Sequence, residues 1–323
     1  MFLLVSAYGY IITELVIYVK QKNIFFVNFF LDLSNLMIII KIMRDKNDIG
    51  LEWLSVDLDH LSPSQLLTST PSWIFKYLHL GKDRRNIVVG ENAALGSAVH
   101  NAVQNVLCGI PTYDATREAQ IEFDMHDANE DAAKRIKYRG IIPQMVQNGV
   151  DILLENGFFA AIPEEKITTR FDGVNVDIIG YVDLVVPDTI FCEMKTKAPR
   201  KTRLLKDGSQ GWSKGSLPKS PEKNHVMQSA IYQKALNITP SICYINEIEA
   251  VLFTPFNCDE LKADNLAKCL EEMRQKALVR QNLLRFSDDP KVLASIVDPD
   301  WDHAYQWKLE DEYLQKARKL WEF

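Results

Sequence analysis

A mixed α/β (α+β) fold, with a central β-sheet flanked by helices, is what this sequence predicts, and three observations carry the prediction. The run from Pro163 to Lys195 is rich in β-branched and aromatic residues and is cut by turn pairs at Asp172-Gly173 and Pro187-Asp188, so it reads as a meander of three strands. Two more β-rich runs, Ser241–Asn246 and Glu249–Phe253, follow a helical stretch from Pro221 through Leu236. Longer segments of helical periodicity lie on either side: Glu91–Leu107 and Ala128–Asn156 before the strands, Cys258–Leu284 and Glu310–Trp321 after them.

Composition sets the outer limits. The chain has 323 residues, enough for one large domain or two small ones, and its 47% hydrophobic and 25% charged residues are ordinary for a globular protein. A formal net charge of −6 gives no global attraction for nucleic acid, so a basic footprint has to be local. Cys108, Cys192, Cys243, Cys258 and Cys269 are dispersed without CxxC spacing, which points to reduced thiols in a cytoplasmic setting and against a zinc ribbon. The expected organisation is an apolar N-terminal extension over 1–42, a core over 51–255, and a C-terminal helical extension over 256–323 packed on that core.

The extension is unusual. Phe2–Val19 and Ile24–Ile40 are almost wholly apolar, broken by Glu14 and Asp32, and each approaches the about 20 residues that span a bilayer. Neither has the basic start and small-residue cleavage site of a signal peptide. Three readings compete: membrane association through this segment, a helical accretion on the domain, and a start codon placed too far upstream of Met43. A bias toward Phe, Ile, Asn, Lys and Tyr, typical of translated AT-rich DNA, suits the third.

From Leu51 the elements follow in order. Ser62 caps a helix with Pro63 at its first position, and Pro71 is expected to split the segment through Tyr77 into two short helices. Glu91–Leu107 has an apolar side and places Gly96 and His100, four apart, on one face; a glycine there marks the close approach of another backbone. Ala128–Asn156 is expected to break near Gly140 and Pro143 and to stop at Gly157. Pro221–Leu236 brings His225, Gln228 and Tyr232 onto one stripe. An aromatic connector around Trp301, Tyr305 and Trp307 precedes the last helix.

The chemistry concentrates in the second hairpin of the meander. With a loop at Pro187–Thr189, Asp183 falls opposite Glu193, their Cβ atoms roughly 5 Å apart and their charges repelling. The pleat returns Lys195 to the face of Glu193. A hard divalent cation would relieve the repulsion, since Mg²⁺ binds through one or two carboxylates plus substrate phosphate. The bland alternative is a surface hairpin with a solvated salt bridge, and for His100 a packed helix residue.

Thr196–Glu222 reads as a long polar loop leaving that strand. It carries Lys197, Arg200, Lys201, Arg203, Lys206, Lys214 and Lys219 against Asp207, with Trp212 among them. Basic residues interleaved with an aromatic suit phosphate contacts and base stacking.

These pieces together resemble the PD-(D/E)XK nuclease superfamily, in its RecB-like branch with Cas4-like and phage-type exonucleases. Gly96-Ser97-Ala98-Val99-His100 is similar to the branch's GxxxH helix, Gly180-Tyr181-Val182-Asp183 to its G-x-x-D strand, Glu193-Met194-Lys195 to its E-x-K element and Gln228-Ser229-Ala230-Ile231-Tyr232 to its Q-x-x-x-Y helix. Ser62-Pro63-Ser64-Gln65-Leu66 resembles the opening helix, and the likeness covers roughly 60–255. Each motif alone is weak; four in the family's order on the expected elements are specific.

The resemblance implies a restriction-endonuclease-like fold with additional N- and C-terminal helices. It implies that His100, Asp183, Glu193 and the Met194 carbonyl bind Mg²⁺ or Mn²⁺, and that Asp183, Glu193 and Lys195 are catalytic, Lys195 orienting or activating the attacking water. It assigns Gln228 and Tyr232 to DNA contact and bracing of the site, and allows Glu164 or Glu165 an outer carboxylate role. The basic residues Lys197, Arg200, Lys201 and Arg203, with Trp212, would extend the DNA surface. Clustered C-terminal cysteines are missing, so no iron–sulfur cluster is expected, and no GxxxxGK[ST] is present for a helicase motor. The expected activity is a metal-dependent DNA exonuclease of phage or bacterial recombination, repair or processing, in the (host) cytoplasm, with DNA and a single-strand annealing or recombination protein as partners. A structure-specific endonuclease or nickase using the same site, and a catalytically silent DNA-binding scaffold, are the alternatives.

Overall fold

The computed structural model describes residues 49–322, apart from 88–89, 127–130, 304–306 and 308; the N-terminal extension 1–42, Met43 and Tyr305 lie outside the described residues. Ile49–Phe323 is one compact unit. Its helices are α1 (Leu51–Leu54), α2 (Pro63–Leu67), α3 (Thr70–Trp73), α4 (Glu91–Leu107), α5 (Thr112–Met125), α6 (Ala132–Glu155), α7 (Lys223–Leu236), α8 (Ala263–Phe286), α9 (Pro290–Ala294) and α10 (Asp311–Trp321). The strands are β1 (His60–Leu61), β2 (Ile162–Thr169), β3 (Asp177–Val186), β4 (Ile190–Thr196), β5 (Arg200–Leu204), β6 (Gln210–Ser213), β7 (Thr239–Ile245) and β8 (Ala250–Phe253).

The main sheet is mixed. Antiparallel β2 runs along one edge of β3, while β1, parallel, and β4, antiparallel, share its other edge at opposite ends. β4 then pairs parallel with β7 through the α7 crossover, and β8 closes the sheet antiparallel to β7. This is the expected central mixed sheet flanked by helices. One core gathers Trp53, Trp73, Ile178, Phe191 and Ile231 with Met273 and Ala277 of α8 and Leu320 of α10; a second gathers α4, α5 and α6 against Leu184, Cys192, Met194 and Ile245; a smaller third packs Val226 and Ala230 of α7 on Ile242, Tyr244 and Phe253. No helix among the described residues is long and apolar enough to cross a membrane.

Local chemistry explains most boundaries. Ser62 Oγ accepts the Gln65 N–H at 3.1 Å, and Ser69 caps the next helix, so Pro71 starts α3 as a first-turn residue. A π-helical turn, Ile74–His79, continues it. The expected break at Gly140 and Pro143 does not occur: α6 is continuous. Pro143 cannot donate to the Arg139 carbonyl, and Gln120 Nε2 of α5 donates to that carbonyl instead, at 3.1 Å. Helix α5 was not anticipated, although Ala115, Ala119 and Phe123 bury one face at intervals of four. The expected loop Thr196–Glu222 is also corrected, since β5 and β6 pair within it as a two-stranded hairpin around Asp207-Gly208. An Asp-Gly pair with a left-handed glycine, φ 82° at Gly208, is a turn that supports such pairing.

Candidate active site

The β3–β4 hairpin turns where expected. Thr189 N–H bonds to the Val186 carbonyl at 3.1 Å across Pro187 and Asp188, and the register Leu184↔Cys192 would place Asp183 against Glu193. The ladder stops one residue short of that pair. On the other edge of β3 the register likewise passes from Glu165↔Val182 to Pro163↔Leu184, omitting Glu164 and Asp183. Glu164 has a φ of 51°, a left-handed conformation rarely adopted inside a strand. Alternation slips at the same point: Val182 packs in the first core and Leu184 in the second, although residues two apart in a regular strand share a face.

Side chains take over where the ladders lapse. Asp183 Oδ2 accepts the Met194 N–H at 2.6 Å, and Lys195 Nζ donates to Glu193 Oε2 at 2.9 Å. Glu193 is almost completely buried, with 1% exposure. Burial, reinforced by Asp183 and opposed by Lys195, pushes its carboxyl up to about 8. Burial pulls the Lys195 ammonium down, but Glu193 and Asp183 outweigh it and its net shift is upward. The carboxylates and the ammonium therefore hold one another at the end of β4.

Helix α4 brings the third group. His100 Nδ1 lies 3.8 Å from Asp183 Oδ2, and burial lowers its pKa despite that carboxylate, keeping the imidazole neutral. Gly96, one turn earlier, allows the approach: a Cβ there would stand 3.1 Å from Thr196 Oγ1 of β4. The close neighbour is thus a side chain of β4 and not another backbone. Gln104, one turn after His100, donates to the Asp183 carbonyl and to Glu164.

Helix α7 supports the strand from the first core. Tyr232 donates its hydroxyl hydrogen to the Tyr181 carbonyl at 3.0 Å and accepts from Gln228 Nε2 at 2.9 Å. Gly180 is required beneath it, because a Cβ would come within 2.7 Å of Tyr232 Cε1 and 3.3 Å of Pro63 Cγ. His225 shares Tyr244 Oη at 2.7 Å, and that oxygen also accepts the Glu222 N–H. Burial and then the Lys195 charge bring His225 down to about 4. A cleft of 340 Å³ opens between these elements, lined by Ser97, His100, Lys195, Lys197, Glu222 and His225 among others.

The basic residues divide. Lys197 pairs with Glu222 and lies over the Tyr244 ring, and Lys201 pairs with Asp131. Arg200 and Arg203 lie on β5, whose five residues are all exposed. Trp212 packs half-buried against Tyr138, ring centres 6.5 Å apart.

His100 Nε2 and Glu193 Oε1 are both buried and have no hydrogen-bond partner. An imidazole nitrogen and carboxylate oxygens are a donor set that Mn²⁺ or Mg²⁺ accepts. The Met194 carbonyl projects from the same strand edge as the N–H that Asp183 holds. Among the described residues no three His, Cys, Asp or Glu side chains are near enough to enclose an ion, and Lys195 engages Glu193 Oε2. In chemical kind the donors fit the group.

No protein-family model matches the chain, and no curated protein does. Among solved structures it is similar to a candidate exonuclease from Eubacterium rectale, at 11% identity and a TM-score of 0.45 over 69% of this chain and 82% of that one. It is also similar to SSO0001, at 18% identity and a TM-score of 0.26 over 60% of this chain and 98% of that one. Likenesses this distant assign no activity to this chain.

Proposed function

We propose that the protein is a metal-dependent deoxyribonuclease of the PD-(D/E)XK type, acting as an exonuclease. One observation carries the reading: two buried ligand atoms without partners, His100 Nε2 and Glu193 Oε1, belong to the same cluster as Asp183 and Lys195. Burying such atoms unpaired is costly, and a ligand that they bind repays the cost.

In this reading Asp183, Glu193, His100 and the Met194 carbonyl hold Mg²⁺ or Mn²⁺, which when bound lowers the pKa of water and offsets charge at the scissile phosphate. Lys195, kept protonated by its two carboxylate neighbours, donates hydrogen bonds to the phosphate or to the attacking water. Tyr232 and Gln228 brace β3 through the Tyr181 carbonyl, which holds the strand that carries Asp183. Arg200 and Arg203, exposed on β5 just beyond β4, supply backbone charge for DNA. The products are 5′-phosphate and 3′-hydroxyl ends.

An end-labelled linear duplex incubated with Mg²⁺, then with EDTA, tests the activity, and a closed-circular duplex alongside it tests the need for an end. Degradation of the linear form alone, abolished by EDTA, is the expected result. Nicking of the circle assigns the endonuclease alternative, and absence of cleavage with either metal rejects the proposal.

A further inference from the structure

Gln104 reaches the candidate site from a position that no motif covers. It lies on α4 at four residues beyond His100 and eight beyond Gly96, on the face turned to β3 and β4. Its side chain is buried, and its Nε2 donates to the Asp183 carbonyl at 2.9 Å and to Glu164 Oε1 at 3.0 Å, which uses both amide hydrogens. The two residues that it joins are the pair omitted from the β2–β3 register, and Glu164 is the one with a left-handed backbone. A side chain thus bridges the strands where their own pairing fails.

An amide can present either its nitrogen or its oxygen, whereas a carboxylate only accepts. The Asp183 carbonyl and the Glu164 carboxylate therefore both demand the nitrogen end of Gln104, and Glu164 takes the second hydrogen. We infer that Gln104 is a positioning residue: it holds the backbone of Asp183, and with it the carboxylate, in the place where a cation binds, and Glu164 orients the Gln104 amide. The inference rests on the nuclease reading and adds to it a support for the metal ligand that acts without touching metal or DNA. Supporting groups of this kind typically change metal affinity by about 10–100-fold when removed.

Calorimetric titration of Mn²⁺ into the full chain tests it, with DNA hydrolysis measured in parallel. Gln104→Leu weakens Mn²⁺ binding about tenfold. Glu164→Ala weakens it less, and Glu164→Gln stays near wild type because an amide carbonyl accepts the same hydrogen bond. Glu164 is exposed, so its variants keep the test open if Gln104→Leu does not fold. Wild-type affinity in Gln104→Leu overturns the inference, as does a Glu164→Gln protein as weak as Glu164→Ala, since charge and not orientation would then matter. If the wild type hydrolyses DNA while these variants bind Mn²⁺ undiminished, only this inference fails; if the wild type binds no Mn²⁺, the nuclease reading fails with it.

Discussion

Two buried glutamines, Gln104 and Gln281, sit in polar clusters packed into two different cores. Gln281, on α8, is completed by protein: its Oε1 accepts from Trp53 Nε1 at 3.2 Å and from the Asn175 N–H at 2.6 Å, and its Nε2 donates to the Gly173 carbonyl at 2.9 Å. Its neighbour Arg280 donates to the Thr68 carbonyl at 2.7 Å and lies 5.1 Å from the Trp73 ring centre. That cluster ties α8 to the first helices and to the β2–β3 turn. Around Gln104 the glutamine makes two hydrogen bonds, both from Nε2, and His100 Nε2 and Glu193 Oε1 one step away are buried without partners. The difference separates two uses of buried polarity. Around Gln281 the leftover buried atoms, Arg280 Nη1 and Trp73 Nε1, carry hydrogens and cannot ligate a cation, whereas His100 Nε2 and Glu193 Oε1 are atoms of the kind that can.

The comparison is broken most directly at the unfinished cluster. Asp183→Ala or Lys195→Ala is expected to lower Mg²⁺-dependent hydrolysis of end-labelled DNA by at least about 10³-fold. Circular dichroism spectra should keep the wild-type shape, with melting lowered by a few degrees because Asp183→Ala orphans the Met194 N–H and Lys195→Ala unpairs Glu193. Undiminished degradation by either variant rejects the assignment.

The Gln281 cluster should respond in the opposite sense. Gln281→Leu leaves the Trp53 and Asn175 N–H groups and the Gly173 carbonyl unpaired, costing about 3 kcal/mol by the usual penalty for buried orphan groups. The melting temperature falls by several degrees while activity per folded molecule is retained. A loss of activity without a loss of stability would erase the distinction.

Gly180→Ala probes the brace between them. The added methyl group meets Tyr232, and moving that ring costs about 1–3 kcal/mol as an overpacked core and loosens the Tyr181 hydrogen bond. Reduced stability and reduced kcat are expected together in melting and hydrolysis assays.

A smaller effect concerns protons. Burial pushes the Glu193 carboxyl from 4.5 up to about 8, so the folded, metal-free protein holds a proton there more tightly than the unfolded chain. That stabilising contribution is full below the unfolded value of 4.5 and is lost as pH rises through about 8. Glu193→Gln should flatten this decline in melts from pH 5 to 9. Divalent binding near pH 7 should release protons, measured as the difference in calorimetric heat between two buffers of unlike ionisation enthalpy.

The smallest change is expected on the basic hairpin. Arg203→Ala should weaken DNA binding uniformly across sequences and reduce the salt slope of the affinity by about one. Fluorescence anisotropy at several salt concentrations measures it, and an unchanged slope would place Arg203 off the DNA path.

Much of this arrangement can be read from the chain itself. Helix α4 has the expected limits, Glu91–Leu107, because a continuous apolar side of alanine, leucine and valine admits one periodicity. The β3–β4 turn is at Pro187–Thr189 because proline and aspartate favour it. Other features left signals that a motif reading passes over. Asp207-Gly208 announces the β5–β6 hairpin, and Gln104 repeats the interval from Gly96 to His100. The continuity of α6 could not be read locally, since the group that satisfies Arg139 comes from another helix.

The sequence by itself determined the alternating strands, the helix that presents Gly96 and His100, and the return of Lys195 to the face of Glu193, all consequences of backbone period acting over a few residues. Only the tertiary structure decided that both ladders fail at Asp183, that Gln104 and Tyr232 hold β3 there, and which ligand atoms remain unpaired. Those outcomes depend on which distant groups meet and on the water that they exclude, and neither is set by spacing along the chain.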